Sequence, residues 1–380
     1  MTHADSMSPG PHTTSPPVNR RRYRRFERPG LLPRQERIVN IAGTALVALF
    51  TVGWTYALAD SRVRASLPTR LGSAATTNPL SPNAPPPAVY LIDAAIRQFG
   101  ERTEYRGLSG AVNVTVRKPG EPLPLPDSLS DDVHVEFAAP GDTSVTTAEP
   151  GEPGVWNLLV RIGNAIRPVP DFSVITLVPL SQKKAGRIGS YVVGSWPYES
   201  GGRPRSPAYA PPAGLVRVTP ENMNTRLSEH FQLRDFLTKG QTNVWPKYVA
   251  LSPLLLDKLE LTIQELERSG YDVKDVGVIS GFRTPSYNES GGETSGRAGL
   301  SRHMYGDAMD IYIDSDGNGR MDDLNRDGRV DIGDARVLGA AADRVEKQFP
   351  SLIGGVGVYR PTGAHSGFVH IDTRGYRARW

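Results

Sequence analysis

The chain of 380 residues contains no cysteine. Disulfides, zinc ribbons, iron–sulfur clusters and thiol nucleophiles are therefore excluded, and any metal must be held by His, Asp or Glu. Histidine is scarce too, with seven in all. An excess of one charge is also missing. Forty-four basic residues against 40 acidic leave a formal +4, too even for a chain that binds nucleic acid along its whole length. Glycine and proline are plentiful by contrast, at 39 and 33, which speaks for many turns but not for wholesale disorder. At about 150 residues per domain, the length allows two or three folded units.

The positive charge is local. Residues 20–37 carry eight arginines and two glutamates, and the 22 residues from Ile38 to Ala59 carry no charge. As a helix that run spans about 33 Å, enough for a hydrocarbon core of roughly 30 Å. Trp54 and Tyr56 stand near its far end, where amphipathic rings favour the interface. The expectation is a single-pass signal anchor over 38–59 with residues 1–37 as a disordered, basic cytoplasmic tail. Everything after Asp60 is then extracytoplasmic, on the outer face of the cytoplasmic membrane. A secretory signal cleaved after Ala57-Leu58-Ala59 is the alternative. Both give the Arg cluster a topological role and leave nucleic acid out.

Residues 60–105 read as a Pro-rich linker ending in a short helix near 89–99. From 106 to 218, short β-type runs alternate with Gly/Pro turns. They include Val112/Val114/Val116, Val133–Phe137, Trp156–Ile162, Ser173–Leu180, Ser190–Trp196 and Gly214–Val218. That spacing favours a β-rich domain, a small sandwich or barrel. The region 219–380 mixes helix and strand. Ser252-Pro253 starts a helix whose stripe is Leu255, Leu259, Ile263 and Leu266, stopped by Gly270. Strands follow at Val276–Ser280, Ala308–Ile313, Val356–Tyr359 and Phe368–Asp372, with a helix over Asp334–Phe349. The fold class expected is α+β with a mainly antiparallel sheet.

Three of the seven histidines, His303, His365 and His370, fall in the last 78 residues. Asp310 interrupts an apolar strand, where a lone carboxylate is costly unless paired or metal-bound. Alternation puts His370 and Asp372 on one face of their strand. Two histidines and one carboxylate leave a tetrahedral Zn²⁺ one open position for water. The alternative is a pair of strand histidines with Asp310 in an ion pair, Arg283 being the nearest candidate.

The order Ser280-Gly-Phe-Arg283-Thr-Pro285, Ser301-x-His303-x-x-Gly306-x-Ala308-x-Asp310-Ile311, Gly357-Val-Tyr359 and Phe368-Val-His370-Ile-Asp372 resembles the M15 zinc peptidases of bacterial cell walls. The likeness is to their YcbK-like murein endopeptidases and D-Ala-D-Ala carboxypeptidase-like members, and runs from Leu227 to the C-terminus. The resemblance implies a hedgehog/DD-peptidase fold, zinc on His303, Asp310 and His370, and hydrolysis of peptidoglycan stem or cross-link peptides. Many such enzymes carry an acidic base three residues before the last zinc histidine, where this chain has Gly367. Base duty then falls to Asp372 or to His365, on its Gly-flanked loop. Asp372 has a second option, orienting His370. Arg283 is a candidate for oxyanion stabilisation or for gripping a substrate carboxylate, and Ser301 for a substrate hydrogen bond.

Residues 314–334 form an acidic insertion with seven aspartates. Counted from Asp323, EF-hand ligand positions fall on Asp323, Asn325, Asp327, Arg329 (through its backbone), Asp331 and Asp334, with Gly328 at the sixth place. An overlapping loop begins at Asp314, with Asp316, Asn318, Asp322 and Asn325. Calcium is the ion expected if either is filled. The functional expectation is a membrane-anchored extracytoplasmic zinc peptidase acting on peptidoglycan peptides. The runners-up are a wall-binding scaffold that keeps the fold without catalysis and a calcium-dependent adhesion module.

Overall fold

The computed structural model describes residues 113–123, 133–140, 146, 150–162, 165–204, 206–290 and 298–380. The basic tail, the expected membrane anchor at 38–59 and the linker with its helix near 89–99 lie outside the described residues. Within these residues no helix is long and apolar enough to cross a membrane. They form a mixed α/β structure with several antiparallel sheets and few helices.

The first sheet contains β1 (Asn113–Arg117), β2 (Val133–Ala138), β3 (Gly154–Ile162) and β4 (Ala165–Thr176), ordered β1-β4-β3-β2. Strands β2, β3 and β4 are antiparallel, and β1 joins β4 in parallel. Strand β4 begins at Ala165, well before the run from Ser173 that the pattern marks. Pro168 and Pro170 conceal its first half, since proline argues against a central strand. Among the described residues that half pairs with β3 alone, the β1 ladder beginning at Asn113 opposite Phe172. Among the described residues from 113 to 176 the strands make one four-stranded sheet.

Next come β5 (Val178–Pro179), the hairpin of β6 (Arg187–Ile188) and β7 (Tyr191–Val192), β8 (Gly214–Val218) and β9 (Lys247–Val249). Strand β8 pairs with both β5 and β9. The β8–β9 ladder thus crosses position 218/219, and one apolar core continues from Val114 and Val155 through Trp196 and Val216 to Ile311 and Val369.

The C-terminal part contains α1 (Pro253–Arg268), β10 (Val276–Ser280), the short α2 (Pro285–Glu289), β11 (Ala308–Ile313), α3 (Ile332–Gln348), β12 (Gly355–Tyr359), β13 (Phe368–Asp372) and β14 (Ala378–Arg379). The sheet order is β10-β11-β13-β12-β14, antiparallel except for the last pair. Alternation along these strands separates two chemistries. Met309, Ile311, Ile313, Val369, Ile371 and Val356 are buried on one face. Helix α3 packs there, its Gly339 lying against Val356 and Val358. The opposite face carries Ser280, Asp310, His370 and Gly357 in one cross-strand row, set by the pairs Ser280–Asp310, Asp310–His370 and Gly357–His370.

A left-handed turn places His303 over that row. Gly306 has φ +72°, and a Cβ there would stand 2.3 Å from the Ala250 carbonyl carbon. Gly306→Ala combines this φ with a backbone clash and should cost at least about 2 kcal/mol. The melting midpoint of the full-length protein should fall by roughly 4–8 °C. An unchanged midpoint in differential scanning calorimetry would show that the turn is not held as described.

Candidate metal centre

His303 belongs to a 3₁₀ turn, Arg302–Tyr305, between the end of α2 and β11. Its neighbours fix that turn. The Trp196 indole donates to the Met304 carbonyl (2.7 Å), and the Arg283 backbone N–H donates to the His303 carbonyl (3.1 Å). Buried Arg302 lies against the rings of Tyr209 and Tyr305, pairs with Asp307 and donates to the Ala208 carbonyl.

Three ligating atoms converge from this turn and from two adjacent strands. His303 Nε2 is 3.1 Å from Asp310 Oδ1, His370 Nδ1 is 2.8 Å from the same oxygen, and the two nitrogens are 3.1 Å apart. All three residues are buried. His303 Nδ1 lies 2.7 Å from the Gly281 carbonyl, which can only accept, so the ring proton is on Nδ1 and Nε2 presents a lone pair. At zinc–nitrogen and zinc–oxygen lengths of about 2.0–2.1 Å, a tetrahedral edge is about 3.3 Å. A spread of a few tenths of an ångström would seat an ion, so the donor set fits a divalent cation with open coordination.

The metal-free charge state follows from the same geometry. Burial alone would raise the Asp310 carboxyl, but the two histidines hold it well below the ordinary range. Its second oxygen accepts from Arg283 Nη2 at 2.8 Å, while Arg283 Nε donates to the Ser280 hydroxyl at 2.8 Å. Burial lowers His303, with Asp310 opposing. His370 goes the other way. Burial would lower it, yet its Nδ1 faces Asp310 and its Nε2 faces Asp372 Oδ2 at 3.0 Å, and these carboxylates push it up to about 9.

Asp372 lies on the far side of the His370 ring from the three converging atoms. It is fully buried, and Gly355 N–H, Arg374 N–H and the Arg374 guanidinium all donate to its oxygens. Burial would raise its carboxyl, but the bonds from His370 and Arg374 keep it far below the usual range. Its backbone is held as well. Fully buried Lys258 on α1 donates to the Asp372 carbonyl and to Glu346 Oε1, each at 2.6 Å. Neither Lys258 nor the Arg302–Asp307 clasp carries a spacing signal that sequence reasoning could use.

His365 is outside the converging cluster, on the β12–β13 loop. Its Nδ1 donates to the Ser366 carbonyl (2.8 Å) and its ring packs edge-on against Phe368, centroids 5.0 Å apart. Ser301 is the buried residue that precedes the His303 turn, and it makes no side-chain cap bond.

Two further groups of acids and histidine converge among the described residues, namely Glu229/His230/Glu260 and Asp314/Asp316/Asp322. In the first, His230 donates to Glu260 through both its backbone N–H (2.9 Å) and Nδ1 (2.8 Å). The second lies in the acidic insertion. The set counted from Asp323 forms no such three-carboxylate cluster. Asp323 accepts from Asp327 N–H and Gly328 N–H. Asp334 caps α3, taking the N–H groups of Asn325 (3.1 Å) and Asp331 (2.8 Å). Arg329 N–H donates to Asp327, and Asn325 Nδ2 also donates to Asp327.

No protein-family model, curated protein or solved structure matches the chain.

Because His370 is held protonated up to about 9, a cation at this centre must displace the proton on Nδ1. Loading the metal-free protein at pH 7 should release close to one proton per ion. Apparent affinity should rise about tenfold per pH unit up to that pKa. Calorimetry in buffers of different ionisation enthalpy measures this directly, and zero proton release would contradict the assigned charge state.

Proposed function

We propose that the chain is a zinc peptidase acting on peptidoglycan stem or cross-link peptides. In this reading it has an M15-like, hedgehog/DD-peptidase type of catalytic domain and is anchored to the outer face of the cytoplasmic membrane by residues 38–59. One observation carries the reading. His303 Nε2, Asp310 Oδ1 and His370 Nδ1 converge within 2.8–3.1 Å, each orientation fixed by a further partner. They lie on the sheet face opposite the apolar one.

His303, Asp310 and His370 would hold the ion. Bound zinc supplies a Lewis acid that polarises the scissile carbonyl and acidifies water. The protein's own groups do the rest. Arg283 fixes the Asp310 carboxylate through Oδ2, so that Oδ1 stays turned to the cluster. Asp372 takes the positioning role. With His370, Gly355 and Arg374 on its oxygens, it sets the His370 tautomer and ring angle and is poorly placed to take a proton from water. His365 is the better base. Its Nδ1 proton is committed to the Ser366 carbonyl, which leaves the Nε2 lone pair to accept the water proton. Calcium, in the same reading, belongs to the first half of the insertion, where Asp314, Asp316 and Asp322 meet.

The scaffold alternative gains no separate observation. The decisive experiment is release of muropeptides from purified sacculi by the full-length protein, with and without chelator. Zinc-dependent release supports the reading, and its absence at full zinc occupancy refutes it. Two variants divide the roles. Asp372→Asn should lower zinc affinity about 10–100-fold, with turnover restored by excess zinc. His365→Ala should retain zinc and lose roughly 10²–10⁴-fold in turnover. A zinc-replete, inactive Asp372→Asn beside an active His365→Ala would reverse the assignment.

A further inference from the structure

Charge gathers on the carbonyl oxygen when water adds to a peptide bond, and a preorganised donor at that oxygen is worth much in rate. Arg283 directs Nη2 to Asp310 and Nε to Ser280. Another donor stands on the same open face. Tyr359 Oη is 2.6 Å from Trp380 Nε1. An indole nitrogen only donates, so the phenol oxygen accepts here and its own hydrogen is left over. No described residue takes it.

The position of that hydroxyl follows from one glycine. Gly357 lies opposite His370 across β12 and β13. The Trp380 indole occupies the space a side chain at 357 would fill, with Nε1 2.4 Å from the Cβ site. Its ring centroid is 5.2 Å from that of His370. Tyr359, two residues along β12 and so on the same face, reaches back to this nitrogen. Its hydroxyl is therefore drawn over Gly357, toward His370. Stacking on Phe368, at 4.5 Å and 8° between planes, holds the ring. Trp380 is 49% exposed, so the wall it forms faces solvent where a large substrate can reach. Burial raises the Tyr359 phenol pKa, which keeps the proton on it at neutral pH.

We propose that Tyr359 is a catalytic residue, its hydroxyl donating a hydrogen bond to the scissile carbonyl oxygen, with Trp380 as the residue that positions it. The inference rests on the peptidase reading. In the hydrolysis, the water oxygen bonds to the carbonyl carbon and the π pair moves onto the carbonyl oxygen. The pair returns as the C–N bond breaks, the acyl part leaves as carboxylate and both water protons finish on the amine. Tyr359 keeps its proton throughout. An accepted bond from Trp380 polarises the phenol and strengthens what it donates.

The test uses the zinc-loaded full-length protein, a cross-linked muropeptide and a D-alanyl-D-alanine phosphinate, whose tetrahedral oxygens mimic the developing charge. Tyr359→Phe removes only the hydroxyl. It should lower kcat about 10²-fold and weaken the phosphinate by a similar factor, with zinc content and KM within about twofold of wild type. Trp380→Phe keeps the hydroxyl but frees it, and should show an intermediate loss in both. Wild-type kcat and phosphinate affinity in Tyr359→Phe would overturn the assignment while leaving the peptidase reading intact. A wild-type protein that holds zinc yet hydrolyses nothing would overturn the peptidase reading itself. Phosphinate affinity still reports on Tyr359 in that case, and indifference to its hydroxyl counts against the inference.

Discussion

A carboxylate buried in a strand needs compensation, and the C-terminal sheet is arranged around Asp310. One oxygen meets two imidazole nitrogens and the other meets Arg283. Each partner is itself tied down: His303 by the Gly281 carbonyl, His370 by Asp372, and Arg283 by Ser280. Removing one member of such a set leaves an uncompensated buried charge, which costs more than the bond it made. Without metal, the proton on His370 supplies the positive charge; a bound cation would take its place in the same geometry.

The two-sidedness of the sheet makes this affordable for the fold. One face contributes Met309, Ile311, Val369 and Ile371 to the core, while the other presents the cross-strand row of Asp310, His370 and Gly357. Lys258 and Glu346 connect the faces by gripping the backbone at Asp372 and Gly354. The segment from 178 to 213 takes part too, through Trp196 on the Met304 carbonyl and Ala208 on Arg302. Residues far in sequence from the His303–Asp310–His370 cluster thus set the position of the turn that carries His303.

Much of this was legible in the sequence because it is local. The His303–Asp310 spacing, the carboxylate in an apolar strand and the alternation of His370 with Asp372 lead to the cluster directly. So do the boundaries of α1 and α3 and of strands β10 to β13. What was hidden depends on distant partners. Lys258 meets Glu346 88 residues later and Asp372 114 residues later. The Trp380–Gly357 contact needs β12, β13 and β14 to be assembled first. In the acidic insertion, the hydrogen bonds of Asp334 to the start of α3 and the meeting of Asp314, Asp316 and Asp322 depend on how the loop closes rather than on spacing alone. In β4, the prolines hide a strand half that pairs with β3.

The central claim is that a cation sits between His303, Asp310 and His370. X-ray absorption on the protein loaded with one equivalent of zinc tests it most directly. The account predicts two imidazole ligands and two oxygens, one from Asp310 and one from water, at about 2.0–2.1 Å in four-coordination. An all-oxygen shell without imidazole scattering would place the ion elsewhere and contradict the account.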